Sequence, residues 1–118
     1  MKTTKRHKYG AKKTTIDGIT FDSKKEAEYY GLLKIRKMSG NISDFELQPK
    51  FIYKMVCFNP DNFNSRIFTK TYKYIADFKV FYPEGEIEII DVKGMQTSEF
   101  KRKKKIVEKI YGIEIKIV

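Results

Sequence analysis

The feature that most constrains the fold is the run from Ile67 to Tyr82, the longest β signal in the chain. Pro83-Glu84-Gly85 turns it directly into a second apolar run, Glu86 to Lys93. Side chains on a strand alternate between its two faces. Tyr72, Tyr74, Ala76, Phe78, Val80 and Tyr82 are therefore expected on one face, and Lys73, Ile75, Asp77, Lys79 and Phe81 on the other. So short a turn predicts that the two strands pair antiparallel. Asp77 and Asp91 lie at nearly equal distances from that turn, so they are expected as close cross-strand neighbours.

The rest of the chain is arranged around this pair. Thr15–Phe21 reads as a β-hairpin, because Asp17-Gly18 accepts the positive φ angles of a two-residue turn. A helix is predicted over about Lys24–Met38, with Ser23 and Glu26 placed as a capping box and Gly40 beyond its end. Its apolar side is read as Tyr29, Leu32, Leu33 and Ile35; Glu26, Tyr30 and Leu33 follow at i, i+4 and i+7, which puts Glu26 at the edge of the buried stripe. Phe45–Gln48 and Phe51–Phe58 read as strand on either side of Pro49, and Asn59–Ser65 as a loop. After Gly94 a second helix is predicted from Thr97 or Ser98 to Tyr111, with Phe100, Ile106, Val107 and Ile110 inward and Lys101, Arg102, Lys104, Lys105 and Lys109 outward. Ile113–Val118 completes a strand–helix–strand crossover and should lie parallel to Glu86–Lys93. The expected class is α/β (α+β): helix, antiparallel strand meander, helix, parallel strand, with a short N-terminal hairpin. The 118 residues form a single domain over 14–118 behind a basic, mobile tail at 1–13.

Charge then indicates the partner. The net charge is +10, but residues 1–13 hold six Lys/Arg and residues 101–105 five more, leaving 14 bases against 15 acids elsewhere. Positive charge confined in this way favours a polyanion, most simply nucleic acid. Lys12, Lys13, Lys101, Arg102, Lys104 and Lys105 are the candidate phosphate contacts. Nothing in the sequence distinguishes DNA from RNA. No apolar run approaches a membrane span, no secretory signal is apparent, and the lone Cys57 fits a reducing cytoplasm.

Elimination narrows the chemistry. The only histidine, His7, falls in the tail, and Cys57 falls in an apolar strand, so histidine- and cysteine-based catalysis lacks material. No phosphate-binding glycine motif is present, which argues against a nucleotide cofactor. Carboxylates and lysines remain. Asp77 and Asp91 side by side would repel unless a divalent cation lay between them, and such hard oxygen donors suit Mg²⁺ or Mn²⁺, which activate water against a phosphodiester. Lys93, on the Asp91 face, would stabilise the transition state. The same Asp-x-Lys spacing equally suits a strand-end ion pair, and Glu26 equally suits a helix cap.

Taken together, Asp77, Asp91-x-Lys93 on the next strand and Glu26 on a preceding helix resemble the PD-(D/E)XK nuclease superfamily, with a restriction-endonuclease-like core. FDSKKEAEYY (21–30), LQPKF (47–51), YIADF (74–78) and DVKG (91–94) resemble a phage-encoded family within it. The resemblance implies a metal-dependent DNA endonuclease acting on branched, Holliday-junction-like intermediates in the host cytoplasm. It implies metal held by Asp77, Asp91 and the Val92 carbonyl, with Lys93 catalytic. Glu26 would be a further carboxylate, Gln48 an accessory residue, and a homodimer the working unit. Ala76 stands where the superfamily pattern has proline. The alternative is a non-catalytic basic nucleic-acid-binding protein.

Overall fold

A computed structural model describes residues 12–60 and 67–118. The basic tail before Lys12, with Lys2, Lys5, Arg6, His7 and Lys8, and most of the expected loop after Pro60 lie outside the described residues. The protein is mixed α+β, with two helices, an N-terminal hairpin, a mixed four-stranded sheet and a two-stranded ribbon. No helix among the described residues is long and apolar enough to cross a membrane.

The hairpin is formed by β1 (Thr14–Ile16) and β2 (Ile19–Phe21), turned by Asp17 at φ 55° and Gly18 at φ 77°, as the Asp-Gly pair predicts. Asp17 ties it to the first helix by accepting hydrogen bonds from the Tyr30 hydroxyl (2.9 Å) and the Lys34 ammonium. That helix, α1, spans Lys24–Met38 and is capped by Ser23, whose hydroxyl accepts the Glu26 N–H at 3.0 Å. Its buried side is Glu26, Ala27, Tyr30 and Leu33. The expected apolar side is corrected here, since Leu32 and Ile35 are exposed (46% and 64%). The i, i+4, i+7 stripe, not the most hydrophobic residues, decided which face packs.

The main sheet runs in the order β3 (Asp44–Leu47), β6 (Phe78–Phe81), β7 (Ile87–Asp91), β8 (Ile115–Ile117), antiparallel except for the parallel β7–β8 pair. The second helix, α2 (Ser98–Tyr111), connects those two parallel strands. Thr97 caps it, accepting the Phe100 N–H at 3.1 Å, and Gly112 ends it at φ 65°. Two apolar clusters cover the two sides of the sheet. Phe78, Val80, Ile90 and Val92 pack with Ala27, Tyr30 and Leu33 of α1; Ile89, Ile115, Tyr53, Tyr74 and Ala76 pack with Val107 of α2. Adjacent Ile89 and Ile90 thus serve opposite clusters, the pattern of a strand covered on both faces.

The expected single strand Ile67–Tyr82 is two. β5 (Ile67–Ile75) pairs with β4 (Lys50–Phe58) as a separate ribbon, and β6 starts again at Phe78. The break lies opposite Gln48-Pro49, where Gln48 adopts φ 52°. The Gln48 N–H donates to the Asp77 carbonyl (2.9 Å), and the Ala76 N–H donates to the Pro49 carbonyl (3.0 Å). Pro49 has no N–H for the ladder and Gln48 turns the chain, so the paired strands bend together. The expected common face is corrected accordingly: Tyr74 and Ala76 join the α2 cluster, whereas Phe78 and Val80 join the α1 cluster.

Candidate functional site

The bend frees Asp77 from the regular ladder at the point where β6 meets the end of β7. The Asp77 N–H donates to the Ile90 carbonyl (3.0 Å), and the Val92 N–H donates to Asp77 Oδ2 (2.7 Å). Asp77 is therefore held against the last residues of β7, next to Asp91, as the count from the turn predicts. Asp91 is 1% exposed, and its Oδ2 accepts a hydrogen bond from the Tyr74 hydroxyl. Burial, followed by that carboxylate bond, pushes the Tyr74 hydroxyl pKa far up, so the tyrosine stays a donor.

Glu26 is 7% exposed, although Ser23 receives its backbone N–H. Its carboxyl turns inward beside Asp77, and each affects the other's proton. The cap and the inward carboxyl coexist. Desolvation raises the Glu26 pKa, with the negative charges of Asp22 and Asp91 adding to it against the opposing pull of Lys93. Asp77 is pushed up to about 8, first by desolvation and then by Glu26 and Asp91, although its bond from the Val92 N–H opposes the shift. Glu26 and Asp77 thus crowd one spot beside Asp91 and resist ionising together, a pattern common at functional sites.

Lys93 lies on the Asp91 side of the strand, as alternation predicts, with Nζ 4.7 Å from the Phe100 ring centroid. No ion pair joins Lys93 to Asp91 among the described residues, so the strand-end ion-pair reading does not describe this arrangement. A cavity of about 800 Å³ opens over Glu26, Asp77, Val92 and Lys93, between the N-terminal ends of the two helices, with Phe100 and Thr97 on the far wall. Lys12 reaches its rim. Asp91 lies beneath the lining rather than in it.

Among the described residues no group of three or more His, Cys, Asp or Glu side chains is arranged to hold a metal ion. The available donor set is smaller and hard: the Asp77 and Asp91 carboxylates and the Val92 carbonyl, which accepts no backbone hydrogen bond among the described residues. Hard oxygen donors held this close together are chemically suited to a divalent cation, which would offset the repulsion between them.

The remaining sequence-predicted residues divide. Lys101, Arg102 and Lys105 are exposed on α2 without an ion pair among the described residues, whereas Lys104 is not outward-facing as expected: it is partly buried and pairs with Glu108 at 3.1 Å. Lys13 pairs with Asp22 at 3.4 Å. Gln48 lies at the bend opposite Asp77, exposed and outside the cavity lining. Cys57 sits partly buried in β4, consistent with packing. Sequence reading missed Tyr74 and Phe100, the partners of Asp91 and Lys93. Their only signal was an aromatic two residues before Ala76 and another three after Thr97.

No curated protein and no solved structure matches the chain. One family model does, over residues 6–117, which takes in both helices, every strand and the whole of the site. The chain belongs to the family described as protein of unknown function DUF1064.

Proposed function

We propose that the protein is a divalent-cation-dependent DNA endonuclease of the PD-(D/E)XK type. The single observation that carries this reading is the juxtaposition of Asp77 with buried Asp91 at a strand end, with Lys93 on the same side and a cavity above. The order helix, antiparallel strands, helix, parallel strand supports a restriction-endonuclease-like core. Asp77, Asp91 and the Val92 carbonyl are the residues to hold Mg²⁺ or Mn²⁺, which supplies Lewis-acid activation of water and phosphate when bound. Lys93 provides a positive charge at the phosphate oxygens. Glu26, beside Asp77, orients the site. Lys101, Arg102 and Lys105 contact the DNA backbone without reading sequence. On this reading two copies act together on a branched substrate.

Cleavage of linear, flapped and four-way DNA in Mg²⁺ tests the proposal. Asp91→Ala and Lys93→Ala should each lose about 10²–10³-fold in rate, the usual cost of removing a group that stabilises developing charge. Equal cleavage by all three proteins overturns the active-site assignment.

The lack of a three-residue metal group among the described residues favours one rival, a non-catalytic nucleic-acid-binding protein. It predicts metal-independent DNA binding and no Asp77-dependent Mn²⁺ heat in calorimetry.

A further inference from the structure

The β4–β5 ribbon carries charge of one sign only. Its strands, KFIYKMVCF and IFTKTYKYI, contain four lysines and no acid. Lys50, Lys54, Lys70 and Lys73 are all exposed, and none forms an ion pair among the described residues. The inner face, with Tyr53 and Tyr74, packs toward α2, and Tyr111 donates to the Ile52 carbonyl at 2.5 Å. Among the described residues the outer face has no such cover.

On that outer face the register opposes Lys50 to Ile75, Ile52 to Lys73 and Lys54 to Thr71. Three successive rungs therefore each present one lysine, at steps of about 7 Å. The series starts two residues from the bend that presents Asp77.

We infer that the outer face of this ribbon, through Lys50, Lys73 and Lys54, lies along the sugar-phosphate backbone of duplex DNA leading away from the Asp77 site. The inference rests on the nucleic-acid reading above and adds a second contact surface to that of α2. Charge complementarity selects this occupant. A second copy of the chain docked on the same face would set a surface with four lysines and no acid in its strands against itself, leaving those lysines without a counter-charge. Lysines also guard open strand edges against aggregation, but that role has no need of one sign, since acids protect solubility better. The choice of DNA follows from the endonuclease reading of the Asp77 site, since lysine contacts to phosphates are not sequence-specific.

The test is binding of a 30-base-pair DNA duplex, in two unrelated sequences and without divalent metal, across a salt series. The Lys50→Gln/Lys54→Gln/Lys73→Gln variant should weaken binding equally for both sequences and reduce the slope of log K against log salt by about three, one per phosphate contact. The corresponding triple arginine variant should keep the wild-type slope. If the glutamine variant matches wild type while wild type binds DNA, the ribbon is not a contact, and the endonuclease reading survives. If wild type binds no duplex in any salt, the ribbon inference falls, and the endonuclease reading is decided separately by cleavage of flapped and four-way DNA in Mg²⁺. Preference for duplex RNA overturns the choice of DNA. Loss of a dimer in Ile52→Ser, seen by sedimentation, with DNA binding intact in the glutamine variant, assigns the face to self-association instead.

Discussion

Two halves of one antiparallel ladder behave in opposite ways. Strands β3 and β6 pair in the same register as β4 and β5, so the ladder runs uninterrupted in count from Asp44–Phe81 to Phe58–Ile67. On the sheet side of the bend, Phe78 and Val80 are fully buried under α1. On the ribbon side the same ladder face, with Tyr53 and Tyr74, is buried against α2 instead, while the opposite face leaves Ile52 and Val56 53% and 73% exposed. Register alone therefore does not determine environment. The bend at Gln48-Pro49 and Ala76-Asp77 does, by turning one face of the ladder from α1 to α2 and leaving the ribbon's other face in solvent, with a carboxylate at the corner.

The difference is sharpest in stability. Phe78→Ala should cost about 3–5 kcal/mol, as a fully buried aromatic replaced by a cavity. Ile52→Ala on the ribbon should stay within about 0.5 kcal/mol. Urea denaturation measures both, and comparable losses would mean that the ribbon's outer face is covered in solution.

At the corner itself the expectation concerns pH. Asp77 is raised from 3.8 to about 8, so between those values the folded protein keeps a proton that the unfolded chain releases. The stability this contributes is fully present below about pH 4 and is lost as pH rises through about 8. In EDTA the melting temperature should fall over that interval. Asp77→Asn, neutral throughout, should flatten the profile and exceed wild type at pH 9. Parallel profiles for the two proteins would refute the crowding of Asp77 by its neighbours. Glu26, raised in the same direction, adds to the effect with the same sign.

How far the sequence carried this is clearest at particular residues. Caps and glycines marked both helices, because Ser23, Thr97 and Gly112 act locally and leave a local signature. Asp77 and Asp91 were found by counting from one turn, which needs only the β6–β7 pair to be regular. The bend was not legible, since apolar alternation continues through Tyr74, Ala76 and Phe78 while the chain changes sheets. Nor was the exposure of Leu32 and Ile35, which depends on which face of α1 the sheet meets. The Tyr74–Asp91 contact spans 17 residues and exists only because the ribbon folds back beneath the corner.

That contact is the next test of the corner. Tyr74→Phe removes the hydroxyl donor to a buried carboxylate and keeps the ring. It should cost about 1–3 kcal/mol, the range for leaving a buried polar group without its partner. Denaturation in EDTA reads it, and an unchanged midpoint would show that Asp91 does not depend on the ribbon.

The smallest expected effect decides what makes the bend. Gln48 holds φ 52°, where a side chain with a Cβ is crowded and a β-branched one more so. Gln48→Val should therefore lose about 1–2 kcal/mol, the cost of forcing such a residue into left-handed geometry. Gln48→Gly relieves the crowding while adding freedom to the unfolded chain, and should remain within about 1 kcal/mol of wild type. Because the Gln48 amide lies outside the cavity lining, the glycine variant should, on the endonuclease reading proposed above, also retain cleavage. Its backbone N–H to the Asp77 carbonyl, which glycine preserves, is then the contribution that matters. A glycine variant that is stable but inactive would reverse that conclusion and place the amide itself at the reacting phosphate.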